Sequence, residues 1–132
     1  MSWAVDYLGI PEIDHGRDRT GCDCWGLCRL VLREVAGIDA PGYDEGYVSA
    51  DEAAEVTVLI AGATSSPLWR RVEDPRSFDI AIIRKGGLAR HAGIVVQPGM
   101  MLHMWGGHAR IERYDGDLWR NRLVGFYRWS AP

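Results

Sequence analysis

Cys22, Cys24 and Cys28 crowd one short stretch, Gly21-Cys22-Asp23-Cys24-Trp25-Gly26-Leu27-Cys28-Arg29-Leu30-Val31-Leu32. A cysteine becomes a nucleophile when it ionises to the thiolate and a base stands beside it. Cys24 is the best placed of the three. Arg19-Thr20-Gly21 reads as a turn, and Leu27, Leu30 and Val31 follow at helical spacing, so a helix begins close to residue 24. Asp23 occupies the N-cap position, where its carboxylate can accept from the first-turn N–H groups. The dipole and open N–H groups of a helix start favour a thiolate. A thiolate is the form that attacks a carbonyl.

The base must come from elsewhere in the chain. Of the histidines, His91 opens a predicted strand after the loop Gly86-Gly87-Leu88-Ala89-Arg90, and His103 lies in the next strand. An antiparallel hairpin would set the two side by side, and a third polar group is what orients a catalytic imidazole. In a different register His103 would point elsewhere. His15 and His108 fall in or next to turns and read as surface residues.

Simpler readings exist for each cysteine. A free cysteine is commonly a small buried apolar residue, and Cys28, one helical turn beyond Cys24, fits that description. Cys22 reads as a loop thiol. A metal site is a further alternative, but Cys-x-Cys-x-x-x-Cys is not the paired Cys-x-x-Cys pattern of zinc knuckles, and no second pair exists. The expectation is therefore no metal and no cofactor. The tryptophans and methionines read as core and cleft wall.

The elements that must position these groups follow from periodicity and turn residues. Ser2 to Leu8 reads as a short capped helix, ended by Gly9-Ile10-Pro11. The turn-rich loop Glu12 to Asp23 delivers the chain to the cysteine helix, which runs to about Val35 and stops at Ala36-Gly37. Ser49-Ala50-Asp51-Glu52 matches a capping box and opens a second helix to about Ile60. Strands are predicted for Leu68–Val72, Phe78–Ile83, His91–Val96, Met100–Trp105, Ala109–Tyr114 and Val124–Trp129. Helices first and hairpin-linked strands afterwards define an α+β fold with a largely antiparallel sheet, a single domain over residues 1–132.

Composition narrows the function classes. The net charge is −3 and the 15 Lys and Arg residues are scattered, which gives no electrostatic case for nucleic acid. No apolar run approaches a membrane span. Met1-Ser2-Trp3-Ala4-Val5-Asp6-Tyr7 has neither the basic region nor the apolar core of a signal peptide, so synthesis in the cytoplasm is expected. Three cysteines so close together make a poor disulfide framework and point to reduced thiols.

In order along the chain, the residues resemble the NlpC-type cell-wall peptidases, papain-like cysteine endopeptidases that cut peptidoglycan stem peptides. Arg17-Asp18-Arg19-Thr20-Gly21-Cys22-Asp23-Cys24-Trp25-Gly26-Leu27 resembles the nucleophile block Asp-Cys-x-Gly-Leu. Phe78-Asp79-Ile80 is similar to the Gly-Asp-Leu strand, and His91-Ala92-Gly93-Ile94 to the His-x-Gly-Ile block. Met101-Leu102-His103 is similar to the strand carrying the third polar residue, and Val124-Gly125-Phe126-Tyr127-Arg128 to the closing strand. The resemblance implies a papain-like fold with the catalytic helix packed on the antiparallel sheet. It makes Cys24 the nucleophile, His91 the general base and later acid, and His103 the group that fixes the tautomer of His91. The backbone N–H of Cys24 is then an oxyanion donor. Asp23 would face the substrate pocket, where it can meet a cationic amine of the stem peptide. A γ-linked D-glutamyl bond is the commonest target of the family.

Three positions depart from the pattern at the predicted cleft edge. Trp25 follows the nucleophile where serine is frequent, a substitution resembling phage-tail and gene-transfer-agent members. Glu12 follows the proline of the Gly-x-Pro segment where an aromatic is common, and His15-Gly16 stands in place of a Gly-Gly pair. Trp25 and Glu12, with Asp23, are thus the candidate substrate-binding residues. A wall-cutting enzyme without a signal peptide needs another route to the wall, and the resemblance implies carriage in a phage tail or related particle, with tail-tip proteins as partners. Two other outcomes stay open: a structural tail-assembly protein that keeps the fold without useful activity, or an amidase or acyltransferase using the same dyad on a lipid or small amide.

Overall fold

The computed structural model describes residues 2–14, 16–41, 68–85 and 88–130. The second helix expected near 49–60 and the turn histidine His15 lie outside the described residues. The Ser2 hydroxyl accepts from the Ala4 N–H at 3.1 Å and starts a 3₁₀ turn, Trp3–Tyr7, rather than a full α-helix. A short hairpin of β1 (Arg17–Asp18) and β2 (Gly21–Cys22) leads into α1 (Cys24–Val31). The last turn of that helix widens to a π-helical turn, Leu32–Ala36, and Gly37, at φ 69°, closes it. The helix thus ends where Ala36-Gly37 implied.

The sheet comprises β3 (Trp69–Val72), β4 (Ile80–Lys85), β5 (Leu88–Gln97), β6 (Met100–Trp105), β7 (His108–Arg113) and β8 (Leu123–Trp129). Its order is β3-β8-β4-β5-β6-β7 with every pair antiparallel, as hairpin-linked strands require. The β6–β7 hairpin turns through Gly106-Gly107, both at positive φ, the geometry of a two-residue turn that matches strand twist.

Alternation along the strands sorts the core into two layers. Ile80, Ile82, Ala92, Ile94, Leu102 and Met104 join Trp25, Leu27, Cys28 and Val31 of α1, which packs on β5 and β6. Ala81, Ile83, Val95 and Met101 join Tyr114, Trp119 and Phe126 in the other layer. Each large aliphatic side chain so buried contributes roughly 1.5–3 kcal/mol. Among the described residues, no helix is long and apolar enough to cross a membrane.

The chain N-terminal to the helix is laced to the edge of β7. Gly9 donates to the Ala109 carbonyl at 3.0 Å, Ala109 to Ile10 at 2.8 Å, and Glu12 to Gly107 at 2.9 Å. Cys22 donates in turn to the Pro11 carbonyl at 3.0 Å. The segment that delivers Cys24 therefore hangs on the tip of the β6–β7 hairpin.

Candidate active site

Cys24 is the first residue of α1 and Asp23 is its N-cap, as the sequence implies. The Asp23 carboxylate accepts from the Gly26 N–H at 2.7 Å and pairs with the Arg17 guanidinium. Glycine at position 26 is a steric requirement: an added Cβ would stand 2.2 Å from the Gly16 carbonyl oxygen and 2.9 Å from the Asp23 carboxylate. The loop carrying Arg17 can close over the helix start only without that side chain. As the first residue of α1, Cys24 has its N–H outside the helix's own i→i−4 ladder.

His91 and His103 meet directly. Nε2 of His91 lies 2.8 Å from Nδ1 of His103. The register places Gly93 opposite His103 and Val95 opposite Met101, so His91, Gly93, Met101 and His103 share one side of the pleat. An added Cβ at Gly93 would lie 3.1 Å from both the His103 Cβ and the Met101 sulfur, which accounts for glycine two residues after the histidine. Two indoles pack against the pair. The His91 ring stacks on Trp119, 6.2 Å between centroids, and the His103 ring on Trp105 at 6.4 Å. Cys24, His91 and His103 are all fully buried.

The electrostatics separate these groups. Burial, reinforced by the neighbouring His91, pushes the His103 imidazole down to about 4, against the pull of Glu112. It is therefore neutral near pH 7. Burial, with Asp23 and Asp18 nearby, pushes the Cys22 thiol up to about 11, and its S–H donates to the Asp18 carbonyl at 3.0 Å. Cys22 is thus a protonated, inert thiol in β2. Cys28 is buried in the apolar cluster of α1.

The three candidate substrate contacts sit in different settings. Asp23 is 3% exposed and bonded as described. Trp25 is fully buried, its ring edge-to-face on Trp69 at 5.8 Å and its indole N–H donating to the Pro41 carbonyl at 2.9 Å. Glu12 is exposed on the segment bridging β7 and Cys22. His108 is exposed at the hairpin tip. Among the described residues, no three His, Cys, Asp or Glu side chains converge as a metal-holding group. A pocket between Arg76, Phe78, Asp79 and Arg128 is lined by none of the three catalytic candidates.

Two residues absent from the sequence reading belong to the site. Glu112 Oε1 lies 2.9 Å from His103 Nε2, and Trp119 donates its indole N–H to Glu112 Oε2 at 3.2 Å. A two-residue turn at Gly106-Gly107 pairs His103 with Arg110 and Met101 with Glu112, so the parity of the hairpin carries the signal that puts Glu112 on the histidine side.

Residues 14–128 match the NlpC/P60 family model. The chain belongs to the NlpC/P60 family. Protein P54 of Enterococcus faecium is 32% identical over 96 residues, which cover 73% of this chain and 17% of P54. An NLP/P60-family protein similar to lipoprotein from Staphylococcus aureus superposes with a TM-score of 0.69 at 20% identity, over 98% of this chain and 39% of that one. The peptidoglycan hydrolase RipB of Mycobacterium tuberculosis superposes with a TM-score of 0.58 at 19% identity, over 98% of this chain and 61% of RipB. This chain thus spans a small part of P54 and well under half of the staphylococcal protein. The α+β architecture, with α1 packed on an antiparallel sheet, is the papain-like fold of these neighbours.

Proposed function

We propose that the chain is a cysteine hydrolase of peptidoglycan stem peptides, with Cys24 as nucleophile, His91 as general base and acid, and His103 as the orienting group. The observation that carries this reading is a cysteine at a capped helix start, on a helix packed against the two strands that bear a hydrogen-bonded histidine pair. His91 takes the Cys24 proton. The thiolate attacks the amide carbon, and the oxyanion forms toward the Cys24 N–H. His91 returns the proton to the leaving amine as the C–N bond breaks, leaving a thioester. A water, deprotonated by His91, then splits the thioester to acid and free thiol.

RipB is described as a peptidoglycan hydrolase, and family membership supports the same substrate here. The γ-D-glutamyl bond as the bond cut, and assembly into a phage tail or related particle, are parts of the same proposal. Their support is the resemblance of the nucleophile block, Trp25 included.

One observation favours a second reading, a tail component that is silent until assembled. Cys24, His91 and His103 have no exposed surface, and two indoles cover the imidazoles. One experiment separates the two: iodoacetamide labelling against pH, with the labelled cysteine mapped by mass, for wild type and His91→Ala. Fast labelling of Cys24 well below the free-thiol pKa of about 8.5, slowed by the mutation, is expected of an assembled dyad. The same protein should then digest purified wall fragments. Labelling no faster than at Cys22 rejects catalysis by the isolated chain and leaves the silent reading.

A further inference from the structure

The hydrogen-bond chain does not end at His103. Glu112 places one carboxylate oxygen at His103 Nε2, 2.9 Å, and the other at the Trp119 indole nitrogen, 3.2 Å. An indole N–H only donates and an ionised carboxylate only accepts. A neutral imidazole has one proton to place, and a carboxylate beside Nε2 draws it there. Nδ1 of His103 then carries a lone pair, which accepts the Nε2–H of His91 across 2.8 Å. The same constraint passes one ring further. With its proton on Nε2, His91 keeps a lone pair on Nδ1, the form that can take a proton from a thiol.

We propose that Glu112, held in place by Trp119, is a positioning residue that sets the tautomers of His103 and His91 and so keeps His91 in its basic form. The assignment deepens the reading of Cys24 and His91 as nucleophile and base, and rests on it for its catalytic meaning. Its geometry is independent of that reading. Glu112 stands on β7 opposite Met101, one pleat step from His103, so backbone register and not side-chain flexibility brings it to the imidazole. The depressed proton affinity of His103 agrees, because the ring is neutral at pH 7 and has a tautomer to be chosen.

Glu112→Gln is a sharp test because it keeps the shape and replaces one acceptor by a donor. Two N–H groups, from His103 and Trp119, then compete for one carbonyl oxygen. With that oxygen on Trp119, the amide donates to His103 Nε2, the proton of His103 moves to Nδ1, and His91 must turn its own proton toward Nδ1. The base is lost. Adding Trp119→Phe removes the competing donor, so in the double variant E112Q/W119F the new amide can present its carbonyl to His103, and the original order returns.

The readouts are imidazole ¹⁵N shifts, which report the tautomer of each ring, and the rate of Cys24 alkylation by iodoacetamide at pH 7. The expected results are an Nε2–H His103 in the wild type and an Nδ1–H population in E112Q. Alkylation should slow by roughly tenfold or more in E112Q, the scale of a misplaced catalytic proton, and recover in E112Q/W119F. An Nδ1–H His103 in the wild type overturns the proposal without need of any variant, as do unchanged tautomers and labelling in folded E112Q. A folded double variant that does not recover also overturns it, by removing the part given to Trp119. If wild type and His91→Ala label alike while E112Q still shifts the tautomers, the catalytic reading fails and the tautomer control by Glu112 stands.

Discussion

His91 and His103 face each other across the β5–β6 ladder with their rings edge-to-face, 5.1 Å between centroids and 68° between planes, joined through Nε2 and Nδ1 at 2.8 Å. One ring nitrogen of His91 is thereby committed to its neighbour, and in the proposed mechanism proton transfer falls to the other. Replacing His103 by Ala removes the acceptor and lets His91 turn. Wall-fragment digestion should fall by roughly 10²–10⁴-fold. His103→Asn offers an amide oxygen on a shorter stem and should retain more activity than His103→Ala. Equal rates for the two variants would remove His103 from the orienting role.

The burial of His103 makes fold stability depend on pH. Its ordinary value of 6.5 applies to the unfolded chain, and the folded value is about 4. Between these the unfolded chain binds more protons, so this contribution is fully present above pH 6.5 and is lost progressively as pH falls to about 4. The loss is on the order of 3 kcal/mol at its limit. Chemical denaturation at pH 7 and pH 4.5 measures it. His103→Gln, which cannot titrate, should flatten that part of the profile.

Gly26 joins the cap to the loop. Gly26→Ala forces a methyl group into the Gly16 carbonyl, a backbone atom that cannot swing aside. The variant should lose about 2–3 kcal/mol, the scale of an overpacked site. Cys24 labelling should slow with it, because the displaced loop carries the Arg17 partner of Asp23. A melting temperature equal to that of the wild type would show that the loop yields freely.

Away from the catalytic groups, Asp79 ties β4 to the closing strand. Its carboxylate accepts from Arg128 Nε at 2.8 Å, from Arg128 Nη2 at 2.7 Å and from the Arg76 N–H at 2.8 Å, and it is 1% exposed. Asp79→Ala leaves the Arg76 N–H without its acceptor and the Arg128 guanidinium with only the Asp74 carbonyl at 2.9 Å, and should cost about 3 kcal/mol, the lower end for a broken buried pair because Arg128 reaches solvent. Arg128→Lys should recover little, since an ammonium cannot repeat the two-pronged contact. Differential scanning of the two variants decides this.

Cys22 and Cys24 should differ sharply as thiols. With its value near 11, Cys22 stays protonated through the neutral range. Cys22→Ala should leave the labelling of Cys24 at pH 7 within about twofold of wild type. A large change would mean that the two thiols act together.

Much of this architecture was legible in the residues, for reasons that are physical. Asp23 declared the helix start because a short acceptor before an apolar period has one obvious use, and the structure puts it there. Met100–Trp105 was readable as a strand to the residue because Pro98-Gly99 and Gly106-Gly107 fence it. Glu112 was not readable, because a single glutamate in an alternating strand looks like any solvated charge until the pairing register is known. Trp25 looked like a cleft residue from its place beside the nucleophile, and three-dimensional packing instead commits its ring to Trp69. Phe78 is the subtlest case. It stands where the family pattern has glycine and adopts a positive φ of 76°, while its ring stacks on Trp3 at 5.2 Å. A bulky residue in that region is strained, and nothing in the local sequence announces it.

The lacing of residues 9–12 onto the tip of the β6–β7 hairpin has a consequence for how this chain can vary in length. The same hairpin that carries His103 and Glu112 anchors, through Glu12 and Cys22, the approach to Cys24. An insertion at Gly106-Gly107 would shift the Glu112 register and the approach to Cys24 at one stroke. Natural or engineered insertions should therefore be excluded from this two-residue turn, and equally from Pro98-Gly99, which joins the strands bearing His91 and His103 and sets their pairing.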